Sequence, residues 1–339
     1  MFAIYIISQT CFIFTTTSLD FLNNRNISYI FKYTLTGERM DKVKIGLPRA
    51  LFYYDEGEFL ELFLEELGYD VLVSPKTDSE IKGLGEYYSN DEMCSSLKMF
   101  LGHIAYLKDR CDLIINVRFD NKGLLNQGCT NYLCTSELIR NIFEKDIINI
   151  DIDELNKKTR YKSLYSEFIK FGFDKKQIKH AYLFADIKAN KNKKKNIIEN
   201  TNKLNSDKVK VLLVGRAYNL YDEYIGVPIS KLLIDKDIEV LYSNLFDYKE
   251  AMIMSQNVSK KLYWEQSREC VGAVEIAKNR IEGIIFLSSF PCGPDSLVNE
   301  LLFRRLSLPY LNIVVDDLNS LTGIETRIES FIDIIGSGI

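Results

Sequence analysis

Three features of this 339-residue chain predict an α/β fold of two doubly wound, mainly parallel sheets. Short β-branched, apolar runs alternate with amphipathic helical segments. The alternation occurs twice, on either side of a Lys/Asn-rich stretch that lacks it. Hydrophobic residues make up 46% and charged residues 27%, which is enough apolar material for two ordinary cores.

The first alternation opens at "VKIGLPRALF", a strand broken by Gly46-Leu47-Pro48. "DEGEFLELFLEELG" follows as an amphipathic helix stopped by Gly68. "YDVLVSP" is a second strand, "DEMCSSLKMFLGHIAYLKDR" a helix and "CDLIINVRF" a third strand. "CTNYLCTSELIRNIF" is a further helix and "DIINIDI" a fourth strand. These elements place domain one over residues 40–152. Residues 153–206 are poor in Gly and Pro and carry "KANKNKKKNIIENTNKLNSDK"; this pattern fits a solvated helical connection, with a basic docking surface as the alternative.

Domain two, residues 207–339, repeats the alternation. "VKVLLVGRAYN" is a strand and turn, "YIGVPISKLLIDKD" a helix and "IEVLYSN" a strand. "YWEQSRECVGAVEIAKNR" is a helix, "IEGIIFLSSF" a strand and "PDSLVNELLFRR" a helix. "PYLNIVVDD" and "TGIETRIESFIDII" close the domain as strand and helix. The halves share an architecture without a residue-level repeat.

The net charge of −4 and a pI near 5.5 give no sign of a nucleic-acid partner. Residues 1–39 read as a translated leader ahead of a true start at Met40, because Gly37-Glu38-Arg39 can be encoded by a purine-rich stretch resembling a ribosome-binding site. The apolar "MFAIYIISQTCFIF" is short for a membrane span and lacks the basic flank of a signal peptide, so a weak membrane anchor is the alternative and no membrane partner is expected. Seven cysteines, an odd number spread thinly, do not form a secreted disulfide framework and point to the cytoplasm.

Ligands of open parallel α/β sheets bind beyond the carboxyl ends of the strands. Three cysteines fall there. Cys292 follows the strand ending at Phe290, on the turn "PCGPD"; Cys129 follows "CDLIINVRF" at a helix start; Cys94 begins a helix in the connection after "YDVLVS". A helix N-terminus favours thiolate over thiol. Cys111 starts its strand and lies at the opposite edge, Cys134 is turned away from Cys129 on a helix, Cys270 sits within an apolar helical pattern, and Cys11 lies in the leader. Three converging thiolates are compatible with zinc, with an iron–sulfur cluster that keeps one position open, or with a disulfide or chance clustering. His103 is a poor fourth zinc ligand, nine residues beyond Cys94, and reads as a packing histidine rather than an acid/base group.

Taken together, "IGLPRALFYY", "CSSLKMFLGHIAYL", "CTNYLC", "VGRAYNLYDEYIGVPI", "SSFPCGPDS" and "GIETRIESFIDII" resemble the 2-hydroxyacyl-CoA dehydratase component family, closest to its activase-related branch (DUF2229, the CoA-enzyme-activase uncharacterised domain). The resemblance spans most of residues 43–335. It implies two Rossmann-like domains holding a 4Fe–4S cluster on Cys94, Cys129 and Cys292, with a double-cubane cluster as the alternative. It also implies a lyase or low-potential reductase component, reduced by a separate ATP-dependent iron–sulfur activase, with an acyl-CoA or other small-molecule substrate and a paralogous dehydratase-like subunit as further partners. A non-catalytic electron carrier or assembly partner, and a cluster-free small-molecule-binding protein, are the other readings. The chain has no G-x-x-x-x-G-K-[ST] loop and no G-x-G-x-x-G fingerprint, so ATP hydrolysis is expected in the partner.

Arg49 follows the first strand of domain one; Arg216, Tyr218 and Asn219 follow the first strand of domain two. These four are candidates for holding a phosphate-bearing substrate or a cluster-bound ligand, with domain-closing polar contacts as the alternative. Asp295 and Ser296, in the first turn after Cys292, are expected to cap their helix.

Overall fold

The computed structural model describes residues 43–124, 126–316 and 322–336. The anticipated leader, with Cys11, lies outside these. In the first half β1 (Lys44–Leu47), α1 (Tyr53–Glu66), β2 (Asp70–Val73), α2 (Ser79–Tyr87), α3 (Ser95–Leu107) and β3 (Leu113–Asn121) are followed by α4 (Thr130–Leu133), α5 (Thr135–Phe143) and β4 (Ile147–Asp153). Helices α6 (Arg160–Phe168) and α7 (Lys175–Leu204) lead to the second half. There β5 (Lys210–Gly215), α8 (Ala217–Leu220), α9 (Gly226–Asp235), β6 (Glu239–Tyr242), α10 (Tyr248–Met254), α11 (Glu265–Ala277), β7 (Gly283–Ser289), α12 (Gly293–Phe303), β8 (Tyr310–Val315) and α13 (Thr322–Gly336) complete the fold.

Each half holds a four-stranded parallel sheet, ordered β2-β1-β3-β4 and β6-β5-β7-β8. The α/β class expected from the alternation is therefore what the chain adopts. The strand period of two buries both faces. Val211 and Leu213 face α9 and α13, against Ile229, Leu233, Ile328 and Phe331. Leu212 and Val214 face α11 and α12, against Val271, Val274, Val298 and Leu302. The first sheet does the same, with Phe59, Phe63, Phe168 and Ile178 on one side and Leu97, Leu101, Ile104 and Ile139 on the other.

The connection is built mainly of α6 and α7. Helix α7 runs for 30 residues, closed at its start by a capping box of Asp174 and Gln177. At 1.5 Å per residue it reaches ~45 Å. Its first half buries Ile178, Ala181 and Ala185 in the first core. Near its end Asn200 accepts from Tyr242 N (3.0 Å) and donates to the Leu245 carbonyl (3.1 Å) of the second half.

Helix α2 was hidden from the sequence reading by Gly83 and Gly85. Asp78 caps it, accepting from Ile81 N at 2.9 Å. Gly85 permits close packing rather than a turn. A Cβ on Gly85 would lie 2.2 Å from the Lys98 carbonyl oxygen, and one on Gly102 2.1 Å from that of Ile81. The backbones of α2 and α3 thus touch.

In both sheets the chain leaves the first strand for one side and returns to the other, so the switch points lie beyond β1/β3 and β5/β7. The loops there meet across the two halves. Gln127 N donates to the Tyr263 carbonyl (3.1 Å) and Glu265 N to that of Gln127 (3.2 Å). Ser95 N donates to the Phe290 carbonyl (3.0 Å), and Ser95 Oγ to that of Val315 (3.1 Å). Among the described residues no helix is long and apolar enough to cross a membrane.

Candidate functional site

Cys94, Cys129 and Cys292 each stand at the N-cap position of a helix, with extended backbone, before α3, α4 and α12. Each is placed by its local sequence. Cys94 precedes the helix that packs closely on α2. Cys129 follows Gly128, whose missing Cβ lets the chain fold back on β3: a Cβ there would lie 2.3 Å from the Phe119 carbonyl oxygen. Cys292 follows the cis Phe290–Pro291 peptide, with Pro294 within the first turn of α12.

The three loops are tied together. The bond from Ser95 N to Phe290 O joins the residue after Cys94 to the strand end that carries Cys292. Cys94 and Cys129 belong to one apolar cluster with Leu51, Leu97, Tyr132 and Tyr218. Asn131, two residues past Cys129, donates towards the Cys94 sulfur.

Burial pushes the Cys94 thiol up, and pushes Cys292 up to about 12, helped there by Asp295. The N–H groups of Leu97 and Asp295 and the charge of Arg216 pull both the other way. Both cysteines are thus thiols at neutral pH, and only a bound cationic centre would displace their protons. Among the described residues no group of three or more His, Cys, Asp or Glu side chains is arranged to hold a metal ion.

Arg216 is the charge beside these sulfurs, 4% exposed. Its Nε donates to Asp295 Oδ1 (3.0 Å) and Oδ2 (3.2 Å), and its Nη1 to Gln266 Oε1. Nη2 lies 2.9 Å from Asp295 Oδ1 as an ion pair, yet its N–H directions find no aligned acceptor. Burial opposes the charge most, but Asp295 together with Tyr218, Cys292 and Tyr132 outweighs it, and Arg216 stays protonated. Asp295 is therefore the arginine's partner, where helix capping was expected. Ser296 Oγ donates to the Cys292 carbonyl at 2.7 Å, within the same turn.

Tyr218 and Asn219 occupy the turn after Arg216. Asn219 Oδ1 accepts from Ser96 Oγ (3.0 Å) and Ser289 Oγ (2.8 Å), which seats the amide between the Cys94 and Cys292 loops. Its Nδ2 is buried without a partner. Tyr132 packs edge-on against Tyr218, ring centroids 5.9 Å apart.

Arg49 does not join this group. Its Nε donates to the Ser74 carbonyl (3.1 Å), its N to Ser74 Oγ (2.7 Å), and its guanidinium lies over the Tyr53 ring. Ser74 leads to a second polar chain. His103, fully buried, contacts Ser74 Oγ through Nδ1 (2.9 Å) and Thr77 Oγ1 through Nε2 (3.1 Å). Thr77 Oγ1 donates to Asp222 of the second half, as does Tyr54 Oη at 3.2 Å. Since Thr77 gives its proton to Asp222, its oxygen accepts from Nε2–H, and Nδ1 accepts from Ser74. Burial lowers His103 to about 3.

The other cysteines are occupied elsewhere. Cys111 Sγ donates to the Leu107 carbonyl (3.2 Å) at the amino end of β3. Cys134 sits between α4 and α5. Cys270 Sγ donates to the Gly215 carbonyl at 3.5 Å. Two surface cavities, about 750 and 320 Å³, lie along α7 and beside Glu66, and neither touches a cysteine.

Two parallel α/β domains whose carboxyl edges close on a buried, thiol-bearing region define a class: a two-domain α/β protein with a cysteine-bearing site at the domain junction. The sequence sets its family. Residues 44–246, more than half of the chain, match the model of the CoA enzyme activase uncharacterised domain (DUF2229), and the chain belongs to that family. A comparison with functionally curated proteins finds no match. Among solved structures, ZnuA is similar at 8% identity, over 87% of this chain and 99% of that one, with a TM-score of 0.26. The Zn(II)-bound mutant variant of AdcAII from Streptococcus pneumoniae is similar at 12% identity over the same shares, with a TM-score of 0.27. A sugar transporter from Clostridium phytofermentans is similar at 11% identity, over 88% and 94%, with a TM-score of 0.19. These likenesses carry no argument here.

Sequence reasoning missed Tyr132, Gln266 and the Arg216–Asp295 pair. Tyr132 lies in an apolar helical pattern, and the pair is separated by 79 residues, so only the motif "CTNYLC" could have drawn attention to the tyrosine.

Proposed function

We propose that the chain is the iron–sulfur component of a radical 2-hydroxyacyl-CoA dehydratase-like or low-potential reductase system. It holds a 4Fe–4S cluster on Cys94, Cys129 and Cys292 and receives electrons from a separate ATP-dependent activase. The observation that carries this reading is the gathering of three cysteine loops, from the carboxyl edges of both sheets, around one buried arginine. Family membership supports the link to a CoA-enzyme activase system.

The donor set fits such a group. It consists of soft thiols, which suit iron–sulfur clusters rather than hard cations. A cubane holds its thiolates farther apart than a single ion does, so no compact ion-sized ligand cage is required. Arg216 would offset the negative charge of three thiolates. The unpartnered Asn219 Nδ2 is a buried donor with no acceptor of its own. When bound, the cluster supplies one-electron chemistry at an iron with an open coordination position. The protein's part is to hold the sulfurs, exclude water with Leu51, Leu97 and Tyr132, and keep Arg216 charged.

Anaerobic purification with iron, sulfide and visible-spectrum analysis tests this. About four irons per chain is expected for one cubane and about eight for a double cubane. An iron-free, colourless protein would overturn the reading. Activase-dependent turnover of a 2-hydroxyacyl-CoA would make the component catalytic; reduction without turnover would make it an electron carrier.

A further inference from the structure

We infer that Tyr132 and Tyr218, with the Asn219 amide, form a preformed set of neutral hydrogen-bond donors around the cysteine site that raises the reduction potential of the iron–sulfur group held there. This rests on the iron–sulfur reading above and adds to it what tunes the centre.

The tyrosines come from opposite halves of the molecule. Tyr132 lies three residues beyond Cys129, Tyr218 two beyond Arg216, and both pack in the apolar cluster that contains Cys94. They are 2% and 8% exposed. A buried phenol ordinarily finds an acceptor. Other tyrosines of this chain do: Tyr54 has Asp222 (3.2 Å), Tyr221 has Asn244 (2.7 Å) and Tyr248 has Glu265 (2.8 Å). Tyr132 and Tyr218 make no side-chain hydrogen bond to a described residue. Asn219 adds an amide, fully buried, whose oxygen is fixed by Ser96 and Ser289 and whose nitrogen has no partner.

The buried Asn219 nitrogen is costly to leave unsatisfied unless an acceptor lies beside it, and the two phenols stand in the same region with no protein acceptor among the described residues. The nearby candidates are the cysteine sulfurs, and behind them whatever anionic centre they hold. Phenols are neutral near pH 7, so they donate without adding charge. Hydrogen bonds to cluster sulfur stabilise the reduced, more negative state and raise the potential. Arg216 acts in the same direction through its charge.

The test uses the anaerobically prepared full chain with Tyr132→Phe, Tyr218→Phe and Asn219→Asp, and Tyr221→Phe as the control. The readouts are iron and sulfide content and the midpoint potential by spectroelectrochemical titration without substrate. Expected is unchanged iron content, with a threefold to tenfold lower ratio of reduced to oxidised centre at fixed applied potential in each Tyr→Phe variant. Tenfold corresponds to 59 mV for one electron. Asn219→Asp should shift further, and the control not at all. Should one Phe variant fail to fold, the other, on the opposite domain, still decides. Equal potentials in loaded wild type and both Phe variants would overturn this inference and leave the iron–sulfur reading standing. Absence of iron from the wild type would overturn both.

Discussion

Acidification should expose the buried histidine as a stability determinant. In the folded chain His103 sits between Ser74 and Thr77 with no exposure, and burial lowers it from 6.5 to about 3. The unfolded chain therefore binds this proton first as the pH falls, so stability is complete above about pH 6.5 and drains away between 6.5 and about 3. Between pH 7 and pH 4.5 the loss is roughly 2–3 kcal/mol, with an upper limit of about 5 kcal/mol once both forms are protonated. Glu269 works in the opposite sense. Burial raises it to about 8, so it adds stability as the pH falls through that value. The total pH profile thus mixes both signs, and a difference measurement is needed. Urea unfolding of the metal-free protein from pH 7 to pH 4.5 should show wild type losing roughly 2–3 kcal/mol more than His103→Gln across the range, although the variant starts less stable. Parallel profiles for the two proteins would refute the claim that His103 is held neutral at the domain junction.

Other outcomes follow from named contacts. Asp295→Ala should cost the metal-free protein about 3–5 kcal/mol in urea unfolding, because it strands the buried Arg216 charge, and Arg216→Met in the same background should recover part of that loss. Gly102→Ala should cost about 1–3 kcal/mol or more by thermal unfolding, since its Cβ meets a backbone carbonyl that cannot move aside. Cys292→Ser should abolish or destabilise iron binding in anaerobic preparations, whereas Cys270→Ser, whose sulfur is engaged by the Gly215 carbonyl, should retain the wild-type iron content. Equal iron in the last two variants would mean that the ligands were wrongly sorted.

The strands were legible because each is a β-branched run bounded by Gly, Pro or Asp. The sheet-edge rule then put Cys94, Cys129 and Cys292 beyond the carboxyl ends, where the chain does carry them. What stayed hidden had physical reasons. Gly83 and Gly85 weaken the helical signal of α2, because helix propensity counts the cost of glycine and not the close approach to α3 that Gly85 permits. Arg49 and Arg216 occupy equivalent positions after the first strands of their sheets. Only Arg216 turns into the site, because Asp295 and Gln266 await it there, while Ser74 and Tyr53 retain Arg49. The polar chain from Ser74 through His103 and Thr77 to Asp222 joins residues far apart in sequence, and nothing local announces it.

Crystals grown without oxygen and measured at the iron absorption edge would test the site most directly. Anomalous density enclosed by Cys94, Cys129 and Cys292, beside Arg216, is expected. Three free thiols with no iron among them, or a disulfide joining any two, would contradict it.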